Sequence, residues 1–262
     1  SRRYADRWGY SPGDAAGRLA WNGEGVGAER SYERTGAPPP YAVLVASLLG
    51  FRITAKDIIQ SGGGHAESTM RLRNALVAAG WKKHTFVVRT SVDGVEREAI
   101  SHEVDHVCRA ANGTLALEIE WNNKDPFFDR DLENFQRLHM QGAISAGVLV
   151  TRGARLQAAM VGIVAAAVRT AGIVDATELA SWGVKERTAR QRKNLAALLE
   201  RQVPFAEAFA RSFVSDKYGM ATTHWSKLVD RINRGVGNPC PLLLIGLPLE
   251  AVSDYSAATA EL

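Results

Sequence analysis

Cysteine is scarce: the 262 residues contain two, Cys108 and Cys240, and no CxxC pair. That excludes a disulfide framework and a structural zinc site, and leaves two reduced, buried thiols as the expectation. No stretch approaches the roughly 20 uncharged apolar residues of a spanning helix, and residues 1 to 30 lack the apolar centre of a signal peptide. The expectation is a soluble, cytoplasmic protein with no membrane association. Neither sign of charge dominates, since 32 Lys plus Arg against 28 Asp plus Glu leave +4, which permits contact with polyanions without requiring it. Internal repeats and low-complexity tracts are absent. What is present, 46% hydrophobic and 23% charged residues, matches an ordinary globular chain, so function has to be read from local patterns.

Residues 1 to 40 are rich in glycine and close on Pro38, Pro39 and Pro40, which favours an N-terminal arm of loops. An apolar run at 41 to 51 opens the remainder, 41 to 262. After the break Ser61-Gly62-Gly63-Gly64, Leu72, Leu76 and Ala79 fall at i, i+4 and i+7, which predicts a helix from about 66 to 79. Residues 84 to 92 and 99 to 108 read as strands, and Asn112-Gly113 is the strongest hairpin signal. In the partner strand, 114 to 121, Leu115, Leu117, Ile119 and Trp121 alternate with Ala116, Glu118 and Glu120. A helix from about Asp131 to Gln141 follows, with Leu132, Phe135 and Leu138 as its stripe, then a short strand at 147 to 150. Residues 154 to 213 are Ala-rich and helical, with Asp175-Ala-Thr-Glu178 resembling a capping box. Ser215 to Gly219 reads as a loop, 222 to 232 as a helix and 241 to 247 as a strand. This order predicts an α/β fold with a central mixed sheet flanked by helices.

Centring the turn on Asn112-Gly113 places Asp105 opposite Glu120 and diagonal to Glu118, roughly 5 Å and 7 Å apart at Cβ. Val104, His106 and Cys108 then face Trp121, Ile119 and Leu117 on the other, buried side. Like charges directly opposite across strands destabilise a sheet, so three such acids call for a cation between them, and Mg²⁺ with its oxygen ligands is the natural one. The alternative is a solvated polar sheet face. His102 and His106 lie roughly 13 Å apart along a strand and cannot share a zinc ion.

Asp105 followed after twelve residues by Glu118-Ile-Glu120 resembles the PD-(D/E)xK nuclease signature in the variant that carries Glu or Gln where Lys is usual. Trp81, the run Glu118-Ile-Glu-Trp-Asn-Asn-Lys-Asp125, Phe128-Asp-Arg-Asp-Leu132, Lys217-Tyr-Gly-Met-Ala-Thr-Thr-His-Trp225 and Pro241-Leu-Leu-Leu-Ile-Gly246 extend the likeness to the BglII, BamHI and BstYI group of type II restriction endonucleases. The likeness covers roughly 41 to 152 and 213 to 247, with 154 to 212 as a helical insert. It implies a restriction-endonuclease-like core and a homodimer that cleaves double-stranded DNA at a short palindromic site, with Mg²⁺ as cofactor, Mn²⁺ substituting, and 5′-phosphates left behind.

By the same resemblance Asp105 and Glu118, with the backbone carbonyl of Ile119, would hold the metal, which would polarise the scissile phosphate and acidify a water. Glu120 would orient or deprotonate the attacking water. Glu67, in the first turn of its helix, is the candidate fourth catalytic residue, against a plain role as a helix N-terminal acid; Glu103 has a weaker claim. Asn122, Asn123 and Lys124 directly follow the catalytic strand and are the leading DNA contacts. Ser215, Lys217, Tyr218, Thr222, Thr223 and His224 form a second set, with an N-cap as the competing account for Thr222 or Thr223. Lys185, Arg187, Arg190, Arg192 and Lys193 are either a track for the DNA backbone or a solvated helix face. The stripe of Leu132, Phe135 and Leu138 suits a dimer surface or intramolecular core equally. A sequence-independent or structure-selective nuclease and a non-catalytic DNA-binding module are the alternative functions.

Overall fold

The computed structural model describes residues 19–21, 40–60, 67–110 and 113–255. Six strands form one sheet: β1 (Leu19–Trp21), β2 (Lys82–Val92), β3 (Val95–Ala110), β4 (Gly113–Glu120), β5 (Ala146–Arg152) and β6 (Leu242–Leu247). Their order is β1-β6-β5-β4-β3-β2, antiparallel from β2 to β4 and parallel from β4 through β5 and β6 to β1. The helices are α1 (Pro40–Gly50), α2 (Ala55–Gln60), α3 (Glu67–Ala78), α4 (Phe127–Met140), α5 (Ala154–Thr170), α6 (Ala189–Leu199), α7 (Phe205–Lys217) and α8 (Trp225–Asn233). The fold is therefore α/β, a mixed sheet flanked by helices. Of the N-terminal arm, Leu19–Trp21 adds the edge strand beside β6 and Pro40 opens α1; the rest of it, and the Ser61-Gly64 break, lie outside the described residues. No helix among the described residues is long and apolar enough to cross a membrane.

Both faces of the sheet are covered, which explains why β5 reads as a continuous apolar run instead of an alternating one. Val148 and Val150 join Leu117, Trp121 and Ile245 in a cluster with Leu156, Met160 and Ile163 of α5 and Phe209 and Phe213 of α7. Leu149, Ala116, Leu242 and Leu244 face the other way, onto Phe128, Leu132, Phe135 and Leu138 of α4 and Leu228 and Ile232 of α8. The stripe of α4 is thus intramolecular core, each of its four members being wholly buried. The expectation of one buried face is corrected, because the face carrying Glu118 and Glu120 is roofed by α4. Within 154–212, α5 and α7 build a layer of the core, while α6 lies against α7.

The hairpin departs from expectation by one residue. Ala110 pairs with Gly113, so Gly113 is the first strand residue and not the second turn residue. Its φ of +146° is one that glycine takes freely, and a Cβ there would collide with the Ser145 side chain. Glycine was needed for that close approach, and its position beside Asn112 imitated a type I′ turn signal. Each cross-strand partner shifts by two residues, His106 facing Leu117 and Cys108 facing Leu115. An even shift preserves the faces, so Asp105 comes opposite Glu118 rather than Glu120. A second departure lies between the pairs Lys82–Val107 and His84–Val104, where β3 carries one extra residue. This bulge at Asp105 and His106 re-aims what precedes it, and Val104 packs with Phe86 under α4 instead of with Trp121.

Gly147 of β5 lies directly beneath the wholly buried ring of Phe135, and a side-chain Cβ at that position would collide with the ring. Gly147→Ala should lower stability by about 1–3 kcal/mol through overpacking, read as a lower urea midpoint at an unchanged denaturant slope. An unchanged midpoint would show that α4 can lift off the sheet at no cost.

Candidate active site

The acids gather where β3 and β4 part. The β3–β4 pairing extends to His106–Leu117, whereas β4 continues beside β5 as far as Glu120–Thr151. At the parting point the Asp105 amide donates to Glu118 Oε1 at 3.3 Å, so a side chain takes the place of the next backbone rung. Asp105 remains half-exposed, while Glu118 and Glu120 are buried at 9% and 3% exposure. Burial, with Asp131 and then Asp105 nearby, pushes the Glu118 carboxyl up to about 8. Glu120 is raised as well, by burial first and then by Asp131. His106 lies behind them, and burial takes its imidazole down to about 4, a neutral packing group.

Three charged residues at this site were not singled out from the sequence. Asp131, read as the start of a helix and within the Phe128–Leu132 run but given no role, is 2% exposed in the second turn of α4 and lies against Glu120. Arg130 donates from Nε and Nη2 to Asp131 Oδ1 at 2.9 and 2.7 Å, and its Nη2 lies 3.6 Å from Glu120 Oε1. Arg73 of α3 places Nη2 2.9 Å from Asp105 Oδ2. The signal for Arg130 was available in principle: an amphipathic helix that roofs an acidic strand face must carry compensating charge on that side. Glu67, by contrast, is the exposed first residue of α3. Its charged neighbour is Arg71, which bonds Asp57, and among the described residues no hydrogen bond or ion pair joins it to Arg73, Arg130 or the acids of the site. Arg73 occupies the place expected for it, about 9 Å further along the helix and on another face. Glu103 is exposed and paired with Lys83 at 2.6 Å.

The two segments expected to contact DNA are joined by backbone pairing. Lys124 bridges Thr222, the Thr223 amide donates to the Asn123 carbonyl at 2.8 Å, and the Asp125 amide donates to Ala221 at 3.0 Å. Asn123 also donates from Nδ2 to Glu120 Oε2 at 2.7 Å, so the platform touches the acidic site. Asn122 and Thr222 are half-buried, and Lys124 is exposed. Ser215 and Lys217 sit in the last turn of α7 rather than in a loop, Ser215 exposed and Lys217 with Nζ 5.3 Å from the Phe213 ring. Tyr218 is core, wholly buried with its hydroxyl donating to the Ile58 carbonyl at 2.8 Å. Thr223 and His224 are buried too, and His224 rather than either threonine holds the N-cap position of α8. Of the cationic run, Arg187 turns inward to Ser212 and Asp216 and Arg192 pairs with Glu186, while Lys185, Arg190 and Lys193 are exposed.

Arg152, also unremarked in the sequence, holds this platform from below. It is fully buried at the end of β5, donating from Nη1 to the Trp121 carbonyl, from Nη2 to Thr222 Oγ1 at 2.8 Å and from Nε to Gln157 Oε1 at 2.8 Å. Its guanidinium faces the rings of Tyr218 and Trp121 at 4.9 and 5.7 Å. Each of those bonded partners is neutral, and burial lowers the guanidinium to about 10. A rigid fork of donors suits this three-way junction, and a lysine ammonium does not. Arg152→Lys should therefore loosen the 122–125 and 221–223 pairing. Amide exchange at Thr223 and Asp125 is expected to quicken at least about tenfold while that of Leu149 holds, because local openings differ in free energy across one fold. Equal rates in both proteins would deny Arg152 this part.

No curated protein and no solved structure matches the chain. The family model described as restriction endonuclease BglII/BglIII matches residues 35–247, which takes in the acidic site, the paired platform and the α5–α7 layer. The chain thus belongs to the BglII/BglIII restriction endonuclease family, nucleases whose substrate is DNA.

Proposed function

We propose that the chain is one subunit of a Mg²⁺-dependent type II endonuclease that cuts double-stranded DNA within a short palindrome and leaves 5′-phosphates. The observation that carries this reading is Asp105 opposite Glu118 at the parting of β3 and β4, with the Glu118 carboxylate tied to the Asp105 amide. Among the described residues no three carboxylate or imidazole groups form a ready-made metal cage. Two acids still fit Mg²⁺, which is commonly held by one or two carboxylates and completed by waters and substrate phosphates. Asp105, Glu118 and the Ile119 carbonyl are the groups that would hold it, and Mn²⁺ would serve in its place. The upward displacement of Glu118 fits as well: burial is its first cause, and the neighbouring Asp131 and Asp105 add to it, so a cation beside the group would be favoured. When bound, the ion supplies Lewis acidity at the phosphate and a more acidic water.

The chain's own residues provide the rest. Glu120, fixed by Asn123 at 2.7 Å, orients the attacking water. Asn122, Asn123 and Lys124, carried on the same backbone as Glu120, reach the bases and flanking phosphates, with Thr222 beside them. Recognition and cutting are then one rigid piece, which suits an enzyme that must not cut where it does not read. A palindromic duplex has two-fold symmetry and needs two cuts, so the enzyme acts as a homodimer.

Incubation of a sequenced plasmid with the protein and Mg²⁺, followed by run-off sequencing of the ends, should give discrete fragments and a single short site. A smear would replace this reading with a sequence-independent nuclease. Asp105→Asn and Glu118→Gln should each lower cleavage by about 10³-fold or more while specific binding in Ca²⁺ stays within about fivefold of wild type. Full activity in either variant rejects the assignment. Calorimetric titration of Mn²⁺ into the protein with uncleaved DNA should show binding that Asp105→Asn abolishes, and heat unaltered by that change would move the metal elsewhere.

A further inference from the structure

Hydrolysis of a phosphodiester brings the charge of an attacking hydroxide onto the phosphoryl group. The acidic site makes this harder, since Asp105, Glu118, Glu120 and Asp131 already crowd it. Among the described residues two guanidiniums touch these carboxylates, and they are held differently. Arg73 meets Asp105 alone, through Nη2 at 2.9 Å. Asp105 is a proposed metal ligand, so Arg73 and the ion compete for the same carboxylate. Arg130 is held at three points: two donors on Asp131 Oδ1 at 2.7 and 2.9 Å, the Phe127 ring face at 4.4 Å, and Glu120 Oε1 at 3.6 Å from Nη2.

Accessibility separates the two layers of the site. Glu120 and Asp131 are 3% and 2% exposed, whereas the Arg130 side chain above them is 54% exposed. The charged groups paired at this site that remain open to solvent are Asp105, Arg73 and Arg130, so a phosphate approaching Glu118 and Glu120 meets them first. Asp131 uses the Nε and Nη2 edge of Arg130, and among the described residues Nη1 makes no hydrogen bond. A planar cation fixed along one edge with donors to spare is suited to phosphate oxygens. The placement also accounts for Asp131, which is buried against Glu120 and holds the Arg130 guanidinium by two donors.

We propose that Arg130 is a catalytic residue whose guanidinium contacts the scissile phosphate and offsets the charge developing on it, with Asp131 as the positioning residue that holds it over Glu120. This rests on the nuclease reading above. In the step, a water oxygen bonds to phosphorus as its proton passes to base, and the P–O3′ bond breaks. The electron pair leaves on O3′, which takes a proton from solvent. Arg130 transfers no proton and stabilises charge alone.

The test uses the full chain on a duplex bearing its cleavage site, with single-turnover rates in Mg²⁺, DNA affinity in Ca²⁺ and calorimetric Mn²⁺ binding. Arg130→Ala should cut about 10²–10³-fold more slowly, with affinity changed less than about fivefold and Mn²⁺ binding kept. Guanidinium ion added to solution should raise the rate of that variant and not of wild type. Arg130→Lys, which retains the charge, guards against misfolding and should recover part of the rate. Asp131→Asn should slow the wild type but add nothing in the Arg130→Ala background, a non-additivity that a merely structural role does not produce. Arg73→Ala should tighten Mn²⁺ binding. Wild-type rates in Arg130→Ala, or a defect confined to DNA affinity, would overturn the proposal. If the wild-type chain binds its duplex and cuts nothing, the nuclease reading falls and this proposal with it; if it cuts and Arg130→Ala cuts equally fast, this proposal falls alone.

Discussion

The burial of several carboxyl groups close to one another is the constraint around which this molecule is arranged. Glu118 and Glu120 point to the face of β4 that α4 covers, and α4 adds Asp131 to them. An isolated carboxylate taken out of water is costly, and neighbours of the same sign raise that cost. A core selected only for stability would place apolar groups there, as β5 does one strand away with Leu149. The local structure shows the compensation in detail. Pairing of β3 with β4 gives way where the acids begin, a bulge turns Asp105, and the Asp105 amide serves Glu118. Arg73 and Arg130 approach from two different helices. The interrupted pairing and the bulge cost stability, and the arrangement is consistent with a site that meets its full counter-charge only when occupied.

The sheet and its layers were legible in the residues because they depend on local patterns. Alternation in 115–121, the continuous apolar run of β5 and the 3.6-residue spacing of Leu132, Phe135 and Leu138 each report burial directly. The pairing of Asp105 was not, because it hinged on which residue of Asn112-Gly113 enters the strand. That was decided by Ser145, which is 32 residues from Gly113 and invisible to a local rule. The error moved partners by two positions and left the faces intact, so the acids were grouped correctly although the wrong pair was placed face to face.

Arg73, Arg130, Asp131 and Arg152 were overlooked for a related reason. Each sits in a segment whose local reading was complete without it: the body of a helix, the first turns of another, the end of a strand. Their roles arise from what packs against them. Conversely, Tyr218, Thr223 and His224 were attractive because polar residues cluster before a helix, yet backbone pairing between 122–125 and 221–223 turns that stretch inward. Such pairing joins segments about a hundred residues apart and leaves no periodic trace in either.

Arg152 shows how the two halves of the site become one. It reaches the carbonyl of Trp121, one residue past Glu120, and the hydroxyl of Thr222 on the opposite segment, and among the described residues no carboxylate pairs with it. Neutral partners and two aromatic faces offset only part of the cost of burying its charge. A hydrophobic side chain there would fill the space yet could not tie two backbone segments together. Because Asn123 joins Glu120 within the same platform, a shift in the segments that meet DNA is transmitted to the acid that orients water. Contact with bases and readiness to cut are therefore mechanically linked through a few hydrogen bonds, and the buried arginine is the member whose removal would uncouple them.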